Sequence, residues 1–192
     1  MIDLNNPLVL ASKSPRRKQI CELADIPYEI FVIDTDETID NQLKVEEIPI
    51  AIANSKLETI KAQFGLGDRT ILAADTVVEL DGKIIGKPKN REEAIETLRF
   101  LSGRTHRVIT GVVLYTPERT HTFSDTTFVT FNELSDQQIA YYVDKYQPYD
   151  KAGAYAIQEW IGAVAIKEIK GDFYNVMGLP IQKIIPLLNL SY

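Results

Sequence analysis

Leu8-Val9-Leu10-Ala11-Ser12-Lys13-Ser14-Pro15-Arg16-Arg17-Lys18-Gln19-Ile20 runs from an apolar tetrad through a polar turn into a basic segment. The apolar run reads as a buried strand. Ser14 is a good N-cap, and Pro15 suits the first helical position, where its missing N–H costs nothing. Strand, tight turn and helix start leave unpaired backbone N–H groups at the positive end of a helix dipole. Arg16 and Arg17 add two cations where that dipole disfavours them, so the local cost points to an anion at the turn. A solvated basic turn is the plain alternative, since short basic motifs recur by chance.

The chain around this stretch has 192 residues, 45% hydrophobic and 25% charged. That is enough for one core or two closely joined lobes of an ordinary globular protein. A net charge of −6 argues against a nucleic-acid binder, although Arg16, Arg17 and Lys18 can make a local field for a small anion. No apolar run approaches a membrane span, and the N-terminus lacks a signal-peptide layout. The single cysteine, Cys21, fits a reducing cytoplasm and reads as a buried, inert thiol. Neither His106 nor His121 has a partner at metal-ligand spacing, which disfavours a zinc site or a histidine triad.

In chain order, Tyr28 to Ile33 reads as a second strand running into Asp34-Thr35-Asp36-Glu37. That acidic cluster is either a solvated loop or a carboxylate set for a hard cation. Pro49 to Phe64 has helical apolar spacing, with Gly65 as its stop and Lys56 on the flank of the stripe. Residues 70–80 form the clearest buried strand, interrupted by Asp75, a carboxylate costly to bury without a partner. Asp81-Gly82 predicts a hairpin ending at Gly86-Lys87-Pro88, and Asn90 caps a helix that closes at Ser102-Gly103. Two strands follow over 105–116 and 121–131, then a capping box, Ser135 to Gln138, with a helix behind it. Asp150-Lys151-Ala152-Gly153-Ala154-Tyr155-Ala156-Ile157-Gln158 suits close backbone approach to a ligand, or tight packing. Strands are expected around Ala163–Ile169 and Phe173–Val176, then a last helix after Gly178-Leu179-Pro180, kinked by Pro186. Hairpins mixed with helices predict an α/β protein with a mixed sheet.

The residues hardest to explain structurally are Ser12, Arg16, Arg17, Glu37, Lys56, Asp75 and Lys87, with Gln158 later. Four cations, two carboxylates and a strand-to-helix anion site suit a triphosphate carrying a metal.

Ser12-Lys13-Ser14-Pro15-Arg16-Arg17, Ala74-Asp75-Thr76, Gly86-Lys87-Pro88, Leu101-Ser102-Gly103, Asp150 to Tyr155 and Asn175 to Pro180 closely resemble, in order, the motifs of the Maf family. The resemblance covers nearly the whole chain and departs from the family mainly at Lys13, where a small residue is common. It implies a single domain over 1–192 with two lobes around a cleft, an elongated mixed sheet flanked by helices, similar to the inosine triphosphatases. It also implies a nucleoside triphosphate pyrophosphatase using Mg2+ or Mn2+, with Asp75 as catalytic base and, with Glu37, metal ligand. Substrate binding then falls to Ser12, Arg16, Arg17, Lys56, Thr76, Lys87 and Gln158, of which Arg16, Thr76 and Gln158 match the dTTP- and UTP-preferring subfamily. The expected setting is the cytoplasm, with a nucleotide substrate, a homodimer as the assembly to test, and neither nucleic acid nor membrane as partner. Because the family was named for an effect on septum formation, the alternative is a nucleotide-sensing regulator of division that binds without turnover.

Overall fold

The computed structural model describes residues 6–32, 42–66, 68–188 and 190. The cluster Asp34-Thr35-Asp36-Glu37, with the metal expectation on Glu37, lies outside the described residues. Among those described, seven strands form one mixed sheet flanked by helices. The strands are β1 (Leu8–Ala11), β2 (Tyr28–Ile30), β3 (Ile71–Leu80), β4 (Lys83–Ile85), β5 (Thr105–Tyr115), β6 (Thr120–Phe131) and β7 (Ile166–Lys170). The helices are α1 (Pro15–Leu23), α2 (Ile48–Phe64), α3 (Arg91–Leu101), α4 (Asp136–Tyr146), α5 (Trp160–Ala165), α6 (Phe173–Met177) and α7 (Ile181–Ile184). Sheet order is β2-β1-β3-β5-β6-β7, with β4 paired to β3. β1 runs parallel to both β2 and β3, whereas β4 and β7 pair antiparallel with β3 and β6. The expectation of a mixed α/β sheet holds.

The chain divides into two compact units, one of Met1–Asp75, Thr110–Asp125 and Gly178–Tyr192, the other of Thr76–Ile109 and Thr126–Met177. In the first, Ala53, Leu57 and Ile60 of α2 pack on Val9, Ala11, Ile71, Ala73 and Val113 of the sheet. Each large aliphatic side chain buried this way contributes about 1.5–3 kcal/mol. The helix settles close to the sheet because Gly111 has no side chain: a Cβ there would lie 2.3 Å from the backbone N of Ile50. Gly65 ends α2 in a left-handed conformation, with its N–H donating to the Lys61 carbonyl, as its position predicts. Cys21 is fully buried, and burial pushes its thiol up to about 12, which makes it the inert group expected.

In the second unit the β3–β4 hairpin turns through Asp81 and Gly82, both at positive φ, pairing Leu80 with Lys83. The Asn90 side chain caps α3 by accepting from Glu93 N–H, and the Ser135–Gln138 capping box opens α4. Two expectations fail here. Residues Ala163–Ala165 belong to α5, so β7 begins only at Ile166, and Phe173–Met177 is helical rather than extended. Asn175, fully buried, fixes that second segment by donating to the Val108 carbonyl at 3.1 Å and to Thr127 Oγ1 at 3.0 Å. Buried amide groups need such partners, and meeting them outweighs the strand propensity of Phe173, Tyr174 and Val176.

Candidate active site

β1 and β3 are parallel with Val9 opposite Ile71 and Ala11 opposite Ala73, so the carboxyl end of β1 lies beside the first half of β3. That is where open α/β sheets gather ligands. β1 stops at Ala11 and the chain turns away at Ser12, while β3 runs on past Ala73 through Asp75 to Leu80. The turn is built from within. Ser12 Oγ accepts from the Ser14 N–H at 3.1 Å and from Arg17 Nη1 at 3.3 Å. Ser14 stands at the N-cap position, but its side chain makes no capping bond; its N–H is what the turn uses. Pro15 opens α1 as expected.

Arg17 is the tie of this turn. It is 8% exposed, and its Nε donates to the Gly178 carbonyl at 2.7 Å. The C-terminal segment thus anchors the N-terminal turn through a planar fork that also holds Ser12. A lysine cannot make both bonds. Arg17→Lys is expected to cost about 1.5–3 kcal/mol, the range for a hydrogen bond to a charged group, read as a lowered urea midpoint. Arg16, by contrast, is half-buried at the same helix start.

Asp75 occupies one of the two positions in β3 that are not buried, the other being Thr76. Lys56, projecting from the flank of the α2 stripe, places its Nζ 2.7 Å from Asp75 Oδ1. Their side chains are 13% and 14% exposed, so the pair is neither a solvated surface bridge nor sealed from ligands. Among the described residues no hydrogen bond is made to Asp75 Oδ2. The first unit therefore gathers a reinforced strand-to-helix turn and an oriented carboxylate–ammonium pair.

The second unit holds Thr76, Lys87 and Gln158. Lys87 is exposed and precedes buried Pro88, directly after the β3–β4 hairpin. Glu79, buried under that hairpin, accepts from Gly82 N–H at 2.5 Å and from Arg107 Nε at 2.5 Å. The Gly86 carbonyl accepts from Gly153 N–H at 3.2 Å, so the segment carrying Lys87 is fastened to the start of the one carrying Gln158. Gln158 is exposed. Sequence reasoning missed the residues that hold this second segment, namely Lys151, Tyr142 and Glu159. A lysine inside a run of small residues was the available signal.

His106 and Tyr155 also escaped notice as a pair. His106 Nε2 lies 2.7 Å from the Tyr155 hydroxyl, and both rings pack edge-to-face with Phe131. Burial pushes the imidazole down to about 4 from its ordinary 6.5 and raises the Tyr155 phenol. The unfolded chain therefore takes up a proton that the folded chain refuses, and stability falls as pH drops from 6.5 towards 4. The full effect is about 3 kcal/mol by pH 4. Denaturation at pH 7, 5.5 and 4 is expected to show a steeper loss in the wild type than in His106→Gln, and parallel losses would refute it.

A family model described as Maf-like protein matches residues 7–190. A relative from Bacteroides thetaiotaomicron named dTTP/UTP pyrophosphatase is 48% identical over 178 residues, 92% of each chain. One of the same name from Porphyromonas gingivalis is 49% identical over 176 residues, covering 91% of this chain and 88% of its own. Among solved structures, the Staphylococcus aureus Ham1 protein aligns with TM-score 0.43 at 20% identity over 65% of this chain and 71% of its own. With the ordered motifs, from the Ser12–Arg17 turn through Asp75 to the segment ending at Gln158, now on the fold, the chain belongs to the Maf-like protein family.

Proposed function

We propose that this protein hydrolyses nucleoside triphosphates, dTTP and UTP foremost, to the monophosphate and pyrophosphate. The observation that carries the reading is the Lys56–Asp75 pair, held on β3 two residues beyond the point where its parallel neighbour β1 ends. It agrees with the name that close relatives carry. Asp75 takes a proton from the attacking water as its oxygen bonds to the α phosphorus. The bond from that phosphorus to the bridging oxygen breaks, and pyrophosphate leaves with the electron pair. Lys56 orients the carboxylate, Arg16, Arg17 and Lys87 oppose the phosphate charge, and Ser12 offers its hydroxyl to a phosphate oxygen. Gln158, with donor and acceptor on one amide, meets the O4 and N3–H edge common to uracil and thymine, with Thr76 shaping the pocket.

A divalent cation fits this donor set. Among the described residues no group of three or more His, Cys, Asp or Glu forms a metal cage. Mg2+ needs no cage, since it binds through one or two carboxylates and the substrate's own phosphates. Asp75 Oδ2 is available for that, with Glu37 as the second ligand we assign. Bound Mg2+ or Mn2+ supplies neutralisation of phosphate charge. No described helix is long and apolar enough to cross a membrane, and we place the enzyme in the cytoplasm.

The test is a panel of dTTP, UTP, CTP and GTP with Mg2+, with Mn2+ and with chelator, scored for pyrophosphate against phosphate. Pyrophosphate from dTTP and UTP, abolished by chelator, is the expected result. Phosphate release would move the cleaved bond. Tight binding without turnover would favour a nucleotide sensor.

A further inference from the structure

The turn of 150–159 contains a buried cation that catalysis does not use. Lys151 is 8% exposed overall, with Nζ 2.7 Å from Asp150 Oδ1 and 3.5 Å from Glu159 Oε1. The other Glu159 oxygen accepts from the hydroxyl of Tyr142, a fully buried ring on α4. That hydroxyl in turn accepts from the Ala156 N–H at 3.2 Å. The middle and end of one short segment therefore meet at a single phenol, and its start joins them through Glu159. On the far side, Gly162 approaches so closely that a Cβ would lie 1.7 Å from the Ile157 carbonyl oxygen. Ile157 and Glu159 are the two neighbours of Gln158, so its backbone is held on both flanks. Its own amide makes no hydrogen bond to the described residues, and it is exposed.

A side chain that bonds nothing locally, carried on a backbone pinned from both sides, is arranged to bond something else. Burying Lys151 has an energetic cost that a loop with no positional task need not bear. We propose that Lys151 is a positioning residue for base selection: through Glu159 and the Tyr142 hydroxyl it sets where the Gln158 amide stands. The inference rests on the reading of Gln158 as the base-reading group.

The test compares kcat/KM for dTTP, UTP, CTP and GTP in wild type, Lys151→Met, Lys151→Arg, Tyr142→Phe and Gln158→Glu. Circular dichroism checks the fold of each. Tyr142→Phe keeps the ring and its stacking on Tyr146 and Trp160, removing only the hydroxyl. Lys151→Met and Tyr142→Phe are expected to raise KM for dTTP and UTP about tenfold with kcat within twofold. The preference over CTP and GTP falls by a similar factor, and Lys151→Arg restores it to within threefold. Trp160, the one tryptophan of the chain, stacks on Tyr142 and reports Kd for a non-hydrolysable α,β-imido dTTP by fluorescence. Equal losses for all four nucleotides, or no change of preference in the folded variants, overturn the inference. If Gln158→Glu shifts the preference and the Lys151 and Tyr142 variants do not, only the inference falls. If Gln158→Glu leaves the preference unmoved, the base-reading role itself is refuted and the inference with it.

Discussion

Asp75→Asn is expected to lower kcat by on the order of 10²–10⁴ while nucleotide still binds, because the proposed base and metal ligand is lost while the outline of the side chain is kept. Asparagine has the same outline and keeps a side-chain oxygen where Lys56 Nζ now donates at 2.7 Å. The fold should survive, with a loss of about 1–3 kcal/mol, since Lys56 loses the charge it faces in a mostly buried pair but keeps an oxygen to bond. Binding gains from the exchange, because a negative charge facing a triphosphate has gone. Steady-state pyrophosphate release gives kcat, and calorimetric titration with dTTP gives Kd. Near wild-type turnover would remove Asp75 from the chemistry. A large loss of metal-dependent affinity with unchanged kcat would make it a ligand and no base.

Gly162→Ala is expected to cost about 3–5 kcal/mol and to lower the thermal midpoint by roughly 6–20 °C. Intrinsic helix preference says the opposite, since alanine within α5 should gain about 1 kcal/mol over glycine. Contact decides the sign. The added Cβ would meet a backbone oxygen, that of Ile157, at 1.7 Å, and no rotamer change can relieve an overlap with main chain. Either α5 or the segment 156–159 must move, and the latter carries Gln158. Ala163→Gly, at the next and exposed position of α5, is the control, expected to cost about 1 kcal/mol. Equal midpoints for Gly162→Ala and wild type would show that the close approach is unimportant to the fold.

Local signals carried most of the fold. Residues 8–23 announced strand, turn and helix because a short apolar run, a proline and a basic first turn act within a few residues of one another. The hairpin at Asp81-Gly82 and the caps at Asn90 and Ser135 were legible for the same reason. Asp75 stood out because a carboxylate in a buried strand needs an explanation, and Lys56 supplies one from a helix that ended where its glycine said it would. Failures came where distant partners decide. Val164 and Ala165 fall in the expected strand, yet they are the last residues of α5, whose Gly162 closes on the Ile157 carbonyl. Phe173–Met177 is helical because Asn175 must reach Val108 and Thr127. Ser14 looked like the capping side chain, whereas Ser12 organises the turn with help from Arg17. Lys151 gave only the faint signal of a lysine in a run of small residues, because beside an aspartate it reads as surface until Glu159 and Tyr142 are seen around it.

The Arg17–Gly178 hydrogen bond spans 161 residues of chain. During synthesis the Ser12 turn is therefore made well before the carbonyl that steadies it. At roughly 5–20 residues per second, about 8–32 s separate the two events on the ribosome. β1 also waits for β3, its parallel neighbour, some 60 residues downstream. Until Gly178 is made, a nascent chain holds the turn of the proposed anion site without the carbonyl that Arg17 Nε bonds. A ribosome halted before Gly178 yields a chain that bears every residue of the proposed chemistry and lacks the tie from Arg17 to Gly178.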